Sequence, residues 1–297
     1  MIRILLVATL FFALAGLSWP ASVQAQSAPA ASSLAAIRKA AEQGDAAAQH
    51  KLGVAYVNGQ GVPQDKAQGL SWLRKALAQG YAETQLWIGL LSYQSEDYAQ
   101  AADWFRQAAE QGQADAQFML GMCYDSGHGV PKDYTQSAYW YRKAAEQGNV
   151  GGQLLLGGAY ASGQGVAQDR VQAVIWYRKA AEQGDASAQT KLGHLYAGGH
   201  GVPQDYTKSA QWFRKAAVQG NAEAQYGIGL QYAAGVGVPQ DSVLAYAWLN
   251  LAFAYGEEGA QKSRDREAER LSPAQLAEAQ RLSSNWQKGR SIQREKR

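Results

Sequence analysis

The chain has 297 residues, a formal net charge of +3 at pH 7 and a single cysteine, Cys123. This small charge predicts neither nucleic-acid binding nor strong electrostatic steering of a ligand. One cysteine excludes an intrachain disulfide, so packing alone must hold the fold together.

The first 25 residues have the order of a secretory signal peptide. Arg3 supplies a positive charge, an apolar run ends at Leu17, and the sequence Val-Gln-Ala ending at Ala25 fits a small-x-small cleavage site. We therefore expect cleavage after Ala25, a linker at residues 26–32 and a periplasmic or secreted mature protein. The alternative is an uncleaved anchor, but the apolar run is shorter than the ~20 residues that a spanning helix needs. No later stretch is apolar enough to predict a transmembrane segment in the mature chain.

A repeat of 36 residues occupies most of the remaining chain. It is marked by six tryptophans: Trp72, Trp104, Trp140, Trp176, Trp212 and Trp248. The period predicts a half unit at residues 33–44 and then six full units. The full units are residues 45–80, 81–112, 113–148, 149–184, 185–220 and 221–256. The second unit is four residues short because it lacks the Gly-x-Gly-Val-Pro-x-Asp loop.

Each unit contains two amphipathic helical patterns. In the fifth unit, Leu192 and Tyr196 mark the buried face of the first helix, and Trp212 with flanking Phe213 marks that of the second. Asp205 is placed to cap the second helix at its N-terminus, and a glycine follows its C-terminus. A further glycine recurs inside every first helix, which predicts that two helix axes approach too closely there for a Cβ. Because one helix pair cannot bury its apolar faces alone, the copies are expected to stack.

The end of the chain predicts a cap for the stack. Residues 257–289 read as capping helices, in which Ser272 and Gln275 form a capping box. Residues 290–297 form a basic tail, which we interpret as a solubilising segment. Contact of this tail with acidic lipid or with a partner is the alternative.

The pattern Ala-x-x-x-Leu-Gly-x-x-Tyr, then Gly-x-Gly-Val-Pro-x-Asp, then Ala-x-x-Trp-x-x-x-Ala-Ala-x-x-Gly resembles the Sel-one-like repeat, a relative of the tetratricopeptide repeat. The resemblance covers about Ser33 to Gly256. It implies an all-α, right-handed α-solenoid of stacked antiparallel helix pairs, and a role in protein–protein interaction. The disulfide-rich branch of the family, in which β-lactam binding has been proposed, pairs a Cys between the helices of each unit, and this chain cannot do so.

Residues that could carry chemistry have structural explanations. The Gly-x-Gly loop lacks the preceding strand and third glycine of a dinucleotide site. His128 and His200 occupy a loop position that holds Gln or Val in other units, and we interpret them as solvated, as we do His50 and His194 on the first helices. Cys123 is interpreted as a small core residue. We predict no catalytic residue, cofactor or metal site, and therefore no enzyme.

One set of first-helix positions predicts an apolar strip on the concave side, the usual binding face of a solenoid. The strip comprises Leu86, Leu90, Phe118, Met122 and Leu154. Exposed, it would bind a protein or peptide partner, with Phe118 as its central anchor. The alternative is that neighbouring first helices bury these side chains against each other.

The sequence thus predicts an exported, non-enzymatic scaffold that binds a protein or peptide in the bacterial envelope, with a regulatory or assembly role. Two other functions stay open. One is an envelope hydrolase, for which paired carboxylates or a nucleophile with its base are not evident in the sequence. The other is binding of cell-wall glycan or peptide.

Overall fold

The computed structural model describes residues 31–292, and over that range it consists of fifteen α-helices with turns and no strand. The prediction of an all-α helical repeat is confirmed. The signal peptide expected at residues 1–25 lies outside the described residues, and so do residues 293–297 of the basic tail.

The helices follow the two-helix pattern of the repeat. A first helix, α1 (Ala31–Glu42), occupies the half unit. The first helices of the six full repeats are α2 (Ala46–Asn58), α4 (Glu83–Gln94), α6 (Ala114–Ser126), α8 (Val150–Ser162), α10 (Ala186–Gly198) and α12 (Ala222–Ala234). The second helices are α3 (Lys66–Ala78), α5 (Tyr98–Glu110), α7 (Tyr134–Glu146), α9 (Arg170–Glu182), α11 (Tyr206–Val218) and α13 (Ser242–Ala254). Then follow α14 (Ala260–Arg270) and α15 (Pro273–Ser284).

The described chain packs as two compact units. One comprises residues 31–156 and 164–166, and the other comprises residues 157–163 and 167–292. Each has buried apolar clusters of its own. Leu73 and Trp87 share a cluster in the first unit, and Phe213 and Trp248 share one in the second. Burial of apolar surface between consecutive repeats therefore stabilises each unit.

Side chains cap the helices as the sequence predicts. The carboxylate of Asp205 accepts the backbone N–H of Lys208 at 2.9 Å, at the start of α11. Gly220 follows that helix with φ of +88°, and Asn221 then accepts the N–H of Ala224 at 2.8 Å. Equivalent aspartates cap the other second helices: Asp65, Asp97, Asp133, Asp169 and Asp241. Each such cap contributes about 1 kcal/mol.

The repeated loop is a contact between consecutive repeats. Gly129, the second glycine of its Gly-x-Gly, has φ of +75°, and a Cβ there would collide with the carbonyl oxygen of Tyr98 at the start of α5. Gly237 likewise lies against the backbone of Tyr206 at the start of α11. The loop therefore needs glycine both for its left-handed backbone and for close packing on the preceding repeat.

The glycine inside each first helix accommodates a side chain of the second helix. An ideal Cβ on Gly193 would lie 2.5 Å from ring carbons of Phe213. The pairs are Gly53–Leu73, Gly89–Phe105, Gly121–Tyr141, Gly157–Tyr177, Gly193–Phe213 and Gly229–Leu249. None of these six positions has room for a Cβ, as the sequence predicts, and the nearest atom belongs to a side chain of the second helix in each. Backbones approach most closely in the first of these repeats, where a Cβ on Gly69 would lie 2.8 Å from the carbonyl oxygen of Gly53.

The tryptophans are less buried than the sequence predicts. Trp248 is fully buried, whereas Trp72 and Trp212 are half-buried, and in these two a lysine three residues later lies over the indole at 4.0 and 4.2 Å. The residue that follows each tryptophan is buried in the core in all six repeats. In the first and fifth repeats the tryptophan therefore lies at the edge of the apolar face, where a lysine stem covers it.

The contact between Gly193 and Phe213 predicts opposite effects of two glycine substitutions. Gly193→Ala should lower the free energy of unfolding by about 1–2 kcal/mol, because overpacking against Phe213 exceeds the gain in helix propensity. Gly158→Ala is the matched control in α8, since the nearest atom to its Cβ would be the Tyr177 hydroxyl oxygen at 3.6 Å. It should raise stability by up to about 1 kcal/mol. Urea unfolding of both variants checks the prediction, and destabilisation by Gly158→Ala would contradict it.

A row of buried glutamines, which the sequence pattern did not predict, joins five first helices, α2, α6, α8, α10 and α12, to the helix that precedes each of them. Gln189 is 4% exposed, and its amide donates to the carbonyl oxygen of Ala181 at 3.1 Å. The equivalent bonds are Gln49–Ala41, Gln117–Ala109, Gln153–Ala145 and Gln225–Ala217. Because each buried amide satisfies a carbonyl at a helix end, these bonds fix the position of one helix on the next.

The chain after α13 is only partly as predicted. Ser272 and Gln275 form the expected capping box before α15. The basic tail, however, does not begin as a free segment, because Ile292 is 8% exposed and joins the core cluster of the second unit. Residues 290–292 are therefore part of the packed structure, which corrects the predicted boundary.

Candidate functional site

The apolar strip predicted on the first helices is mostly buried. Phe118 is 2% exposed, Leu86, Met122 and Leu154 are also buried, and Leu90 is half-buried. The prediction that these five side chains form an exposed surface is therefore wrong. The alternative, burial between neighbouring first helices, describes them correctly.

The burial of Phe118 has a specific cause in the next repeat. An ideal Cβ on Gly151, in α8, would lie 2.8 Å from the ring of Phe118, so the ring packs where a larger residue would have its side chain. The Tyr141 ring lies on another side, with centroids 6.1 Å apart. At this pair of repeats, the first helix α6 thus presents a large side chain to a glycine of the following first helix, α8.

In the second unit this face is exposed only in part, at His194 and Leu230, whereas Thr190 is buried. Leu230, on α12, occupies the position that Met122 holds three repeats earlier, yet it is 37% exposed whereas Met122 is 7% exposed. The next helix against this face is α14, which is rich in charged residues and brings Ser263, Arg266, Glu267 and Arg270 near Leu230. An exposed leucine therefore remains at the end of the repeat array.

A cavity of about 340 Å³ opens beside Leu230. Its lining is Leu230, Ala233, Ala234, Ser263, Arg266, Glu267 and Arg270. Glu267 is 2% exposed, and its Oε1 accepts a hydrogen bond from Arg270 Nη1 at 2.8 Å. Its other oxygen, Oε2, is buried without a hydrogen-bond partner among the described residues. The cavity combines an apolar wall with two guanidinium groups and a buried carboxylate, a combination typical of a polar-anchored binding site.

Charged side chains extend the same face from the fifth to the sixth repeat. His194 Nε2 lies 2.9 Å from Glu223 Oε1, and Lys191 approaches the other oxygen of Glu223 at 4.0 Å. The hydrogen bond to His194 is the largest cause that lowers the pKa of Glu223. His194 is exposed, as the sequence predicts.

Two other histidines differ from their predicted solvated state. His50 is 1% exposed and its Nδ1 lies 3.2 Å from Thr84 Oγ1. His128 stacks on Tyr98 with ring centroids 4.4 Å apart, and its Nδ1 lies 2.7 Å from the Tyr93 hydroxyl. Both histidines therefore belong to contacts between repeats, whereas His200 is exposed as predicted.

Cys123 is a buried core residue, as the sequence predicts. Its side chain is fully enclosed, and desolvation raises the pKa of the thiol to about 12. A thiol in this environment stays protonated at neutral pH and is a poor nucleophile.

Among residues 31–292, no group of three or more His, Cys, Asp or Glu side chains is arranged to bind a metal ion. None of the helices in that range combines the length and the apolarity that a membrane crossing requires.

Comparison with known proteins identifies the repeat. The Sel1 repeat family matches six segments, at residues 46–81, 86–113, 114–149, 151–185, 186–221 and 222–254. No curated protein matches the chain.

Two solved structures are similar over most of the chain. One is a protective antigen of uropathogenic Escherichia coli strains with an SLR fold, which is 36% identical with a TM-score of 0.76 over 84% of this chain and 56% of that one. The chain thus spans little more than half the length of this relative. The other is a Sel1 repeat protein from Oxalobacter formigenes, 38% identical with a TM-score of 0.69 over 77% of this chain and 68% of that one. From six matched repeats and these relatives, the chain belongs to the Sel1 repeat family, the Sel-one-like repeat proteins.

Proposed function

We propose that this protein is an exported, non-enzymatic scaffold that binds a protein or peptide partner in the bacterial envelope. Sel1 repeat proteins are generally scaffolds for protein–protein interaction, and six such repeats make up most of this chain. The signal-peptide pattern that ends at Ala25 supports export. A relative described as a protective antigen is consistent with an envelope or surface location, although that description belongs to the relative alone.

The observation that carries the binding role is the exposure of Leu230 beside the 340 Å³ cavity. The face of the first helices was predicted to bind the partner, and in the second unit this face leaves an apolar side chain uncovered. Arg266 and Arg270 at the cavity can donate hydrogen bonds to carbonyl or carboxylate groups of a peptide. We therefore place the partner on the first-helix face of the last two repeats.

A capture experiment tests this role. The tagged chain is cross-linked in its native host envelope, purified and analysed by mass spectrometry, which also reads whether the mature N-terminus is Gln26. Leu230→Asp should abolish recovery of a partner that the wild-type chain captures, since it places a charge on the apolar wall of the cavity. Because Leu230 is already exposed, thermal stability should hardly change.

The matched control is Gln211→Asp, an exposed position on the second helix α11. It adds the same charge away from the first-helix face and should leave capture intact. Equal loss in both variants, or undiminished capture by folded Leu230→Asp, would remove the cavity as the partner site. Recovery of the full-length chain from the inner membrane with residues 1–25 attached would contradict export by cleavage.

A further inference from the structure

The segment that follows α15, residues 285–292, lies back across the fifth repeat, and we call it the strap. Gly289 donates its backbone N–H to the carbonyl oxygen of Val218, the last residue of α11, at 2.6 Å. Such a carbonyl has no partner within its own helix. The strap therefore satisfies a helix end in the way that a bound peptide would.

Two apolar side chains anchor the strap on either side of that hydrogen bond. Ile292 is 8% exposed in the cluster that contains Phe213 and Trp248. Trp286 packs at the edge of the same cluster, and its indole N–H donates to the carbonyl oxygen of Arg290 at 2.7 Å. Gly289 has φ of +91°, a backbone conformation that favours glycine. The strap thus uses an aromatic residue, a glycine three positions later and an aliphatic residue three positions after that.

The surface under the strap differs in sequence from the same surface of other repeats. Val218 is half-buried against the core cluster, whereas the equivalent residues of the second, third and fourth repeats are exposed glutamates: Glu110, Glu146 and Glu182. The surroundings of the glycine two residues after Val218 also differ from those of the equivalent glycine in the fourth repeat. The Trp286 ring would lie 3.8 Å from a Cβ on Gly220, whereas nothing lies within 4 Å of one on Gly184. The fifth repeat therefore has a docking surface that its neighbours lack.

The strap does not fill its surroundings. A cavity of about 160 Å³ remains between the strap and the end of α15, lined by residues that include Leu282, Trp286 and Ile292. Imperfect packing lowers the free energy needed to displace the segment.

We propose that the surface around Val218 and Gly220 is a peptide-docking site, that the strap is its resident ligand, and that a partner peptide with the same aromatic, glycine and aliphatic spacing displaces it. This inference rests on the proposed function, because it gives the scaffold a second binding surface, separate from the Leu230 cavity, and names the peptide chemistry that this surface takes. The strap is tethered, so it competes at a high effective concentration and keeps the site closed to weak ligands.

A synthetic peptide of residues 285–292, Asn-Trp-Gln-Lys-Gly-Arg-Ser-Ile, is the probe. A full-length variant with Gly289→Pro and Ile292→Asp releases the strap, because it loses the donor to Val218 and the buried anchor. By fluorescence anisotropy, this variant should bind the labelled peptide about tenfold or more tightly than the wild-type chain does. A peptide carrying Trp286→Ala should not bind.

Val218→Glu in the released variant is the matched surface control, since it introduces the residue that the second, third and fourth repeats carry at this position. It should abolish peptide binding without changing the helical circular dichroism spectrum. A folded released variant that ignores the peptide, or equal binding with Val218→Glu, would overturn the proposal. So would a dimeric wild-type chain that becomes monomeric on strap release, since a second copy would then be the occupant.

A measurement on the otherwise unchanged chain covers the case in which the released variant does not fold. Val218→Glu alone should speed hydrogen exchange of the Gly289 amide about tenfold or more, because the strap then leaves its site. Unchanged exchange would overturn the proposal. The peptide is added directly, so a chain that captures its envelope partner but fails these tests would reject this inference and leave the proposed function standing.

Discussion

Phe118→Asp is expected to unfold the first unit of the protein, with a loss of about 4 kcal/mol or more in the free energy of unfolding. The ring is 2% exposed and lies against Gly151 and Tyr141. Aspartate would leave a cavity of most of the ring's volume and would place a carboxylate there without a cationic partner. Thermal and urea unfolding followed by circular dichroism measure the loss.

Leu230→Asp is the matched control, because it makes the same kind of change on the same face of a first helix, at a residue that is 37% exposed. We expect its unfolding free energy to lie within about 0.5 kcal/mol of the wild type. Thr190, the residue of the fifth repeat equivalent to Phe118, is no site for such a control, because it is 1% exposed and its hydroxyl donates to the carbonyl oxygen of Ala186. A Phe118→Asp protein that melts with the wild type would show that the first-helix face opens in solution.

The helices and their caps could be predicted because their causes are local. An aspartate before an apolar pattern and a glycine after it specify where a helix begins and ends, and Asp205 and Gly220 do so as predicted. The repeat period adds that the copies must stack. Neither signal states which side of a first helix meets the next one.

Burial of the strip depends on a pairing between residues about 30 positions apart. Phe118 is buried because Gly151 has no side chain, and the sequence contains a signal of this in the glycine-rich start of α8. Read alone, those glycines predict a weak helix. Read as partners of the large residues in α6, they predict close packing of two first helices.

The strap could not be predicted from its composition. Lys288 and Arg290 suggest a solvated tail, and a single isoleucine after them carries little periodic signal. The position of the strap depends instead on Val218, which replaces the glutamate of the second, third and fourth repeats. The sequence alone does not show that the strap and Val218 are in contact. The site residues that the sequence missed are therefore those whose partners lie in another repeat.

Acid is expected to destabilise the protein through His50, before most carboxylates begin to titrate. His50 is buried beside the rings of Tyr81 and Trp87, with Nδ1 at Thr84, and its Nε2 has no hydrogen-bond partner among the described residues. The pKa of His50 is lowered from 6.5 to about 4, mainly by desolvation on burial; the charge of Glu83 opposes this shift and that of Lys51 adds to it.

The direction of the pH effect on stability follows from which state of the chain binds the proton first. Because the folded pKa lies below the unfolded one, the unfolded chain binds a proton first as the pH falls. The contribution of neutral His50 to the free energy of unfolding is fully present above pH 6.5 and decreases between pH 6.5 and about 4. The total decrease is roughly 3 kcal/mol. Between pH 7.5 and pH 5 the free energy of unfolding should fall by about 2 kcal/mol from this group.

His50→Leu isolates the effect, because Leu86 and Leu154 occupy the equivalent position in other repeats. Urea unfolding at pH 7.5, 6.5, 5.5 and 5 should show the decline in the wild-type chain and a nearly flat profile in the variant. Contributions of the other ionisable groups are common to both proteins and cancel in the difference. A variant whose stability falls as steeply as that of the wild type would show that His50 accepts its proton without leaving the fold, and that the contact between the first two repeats admits water.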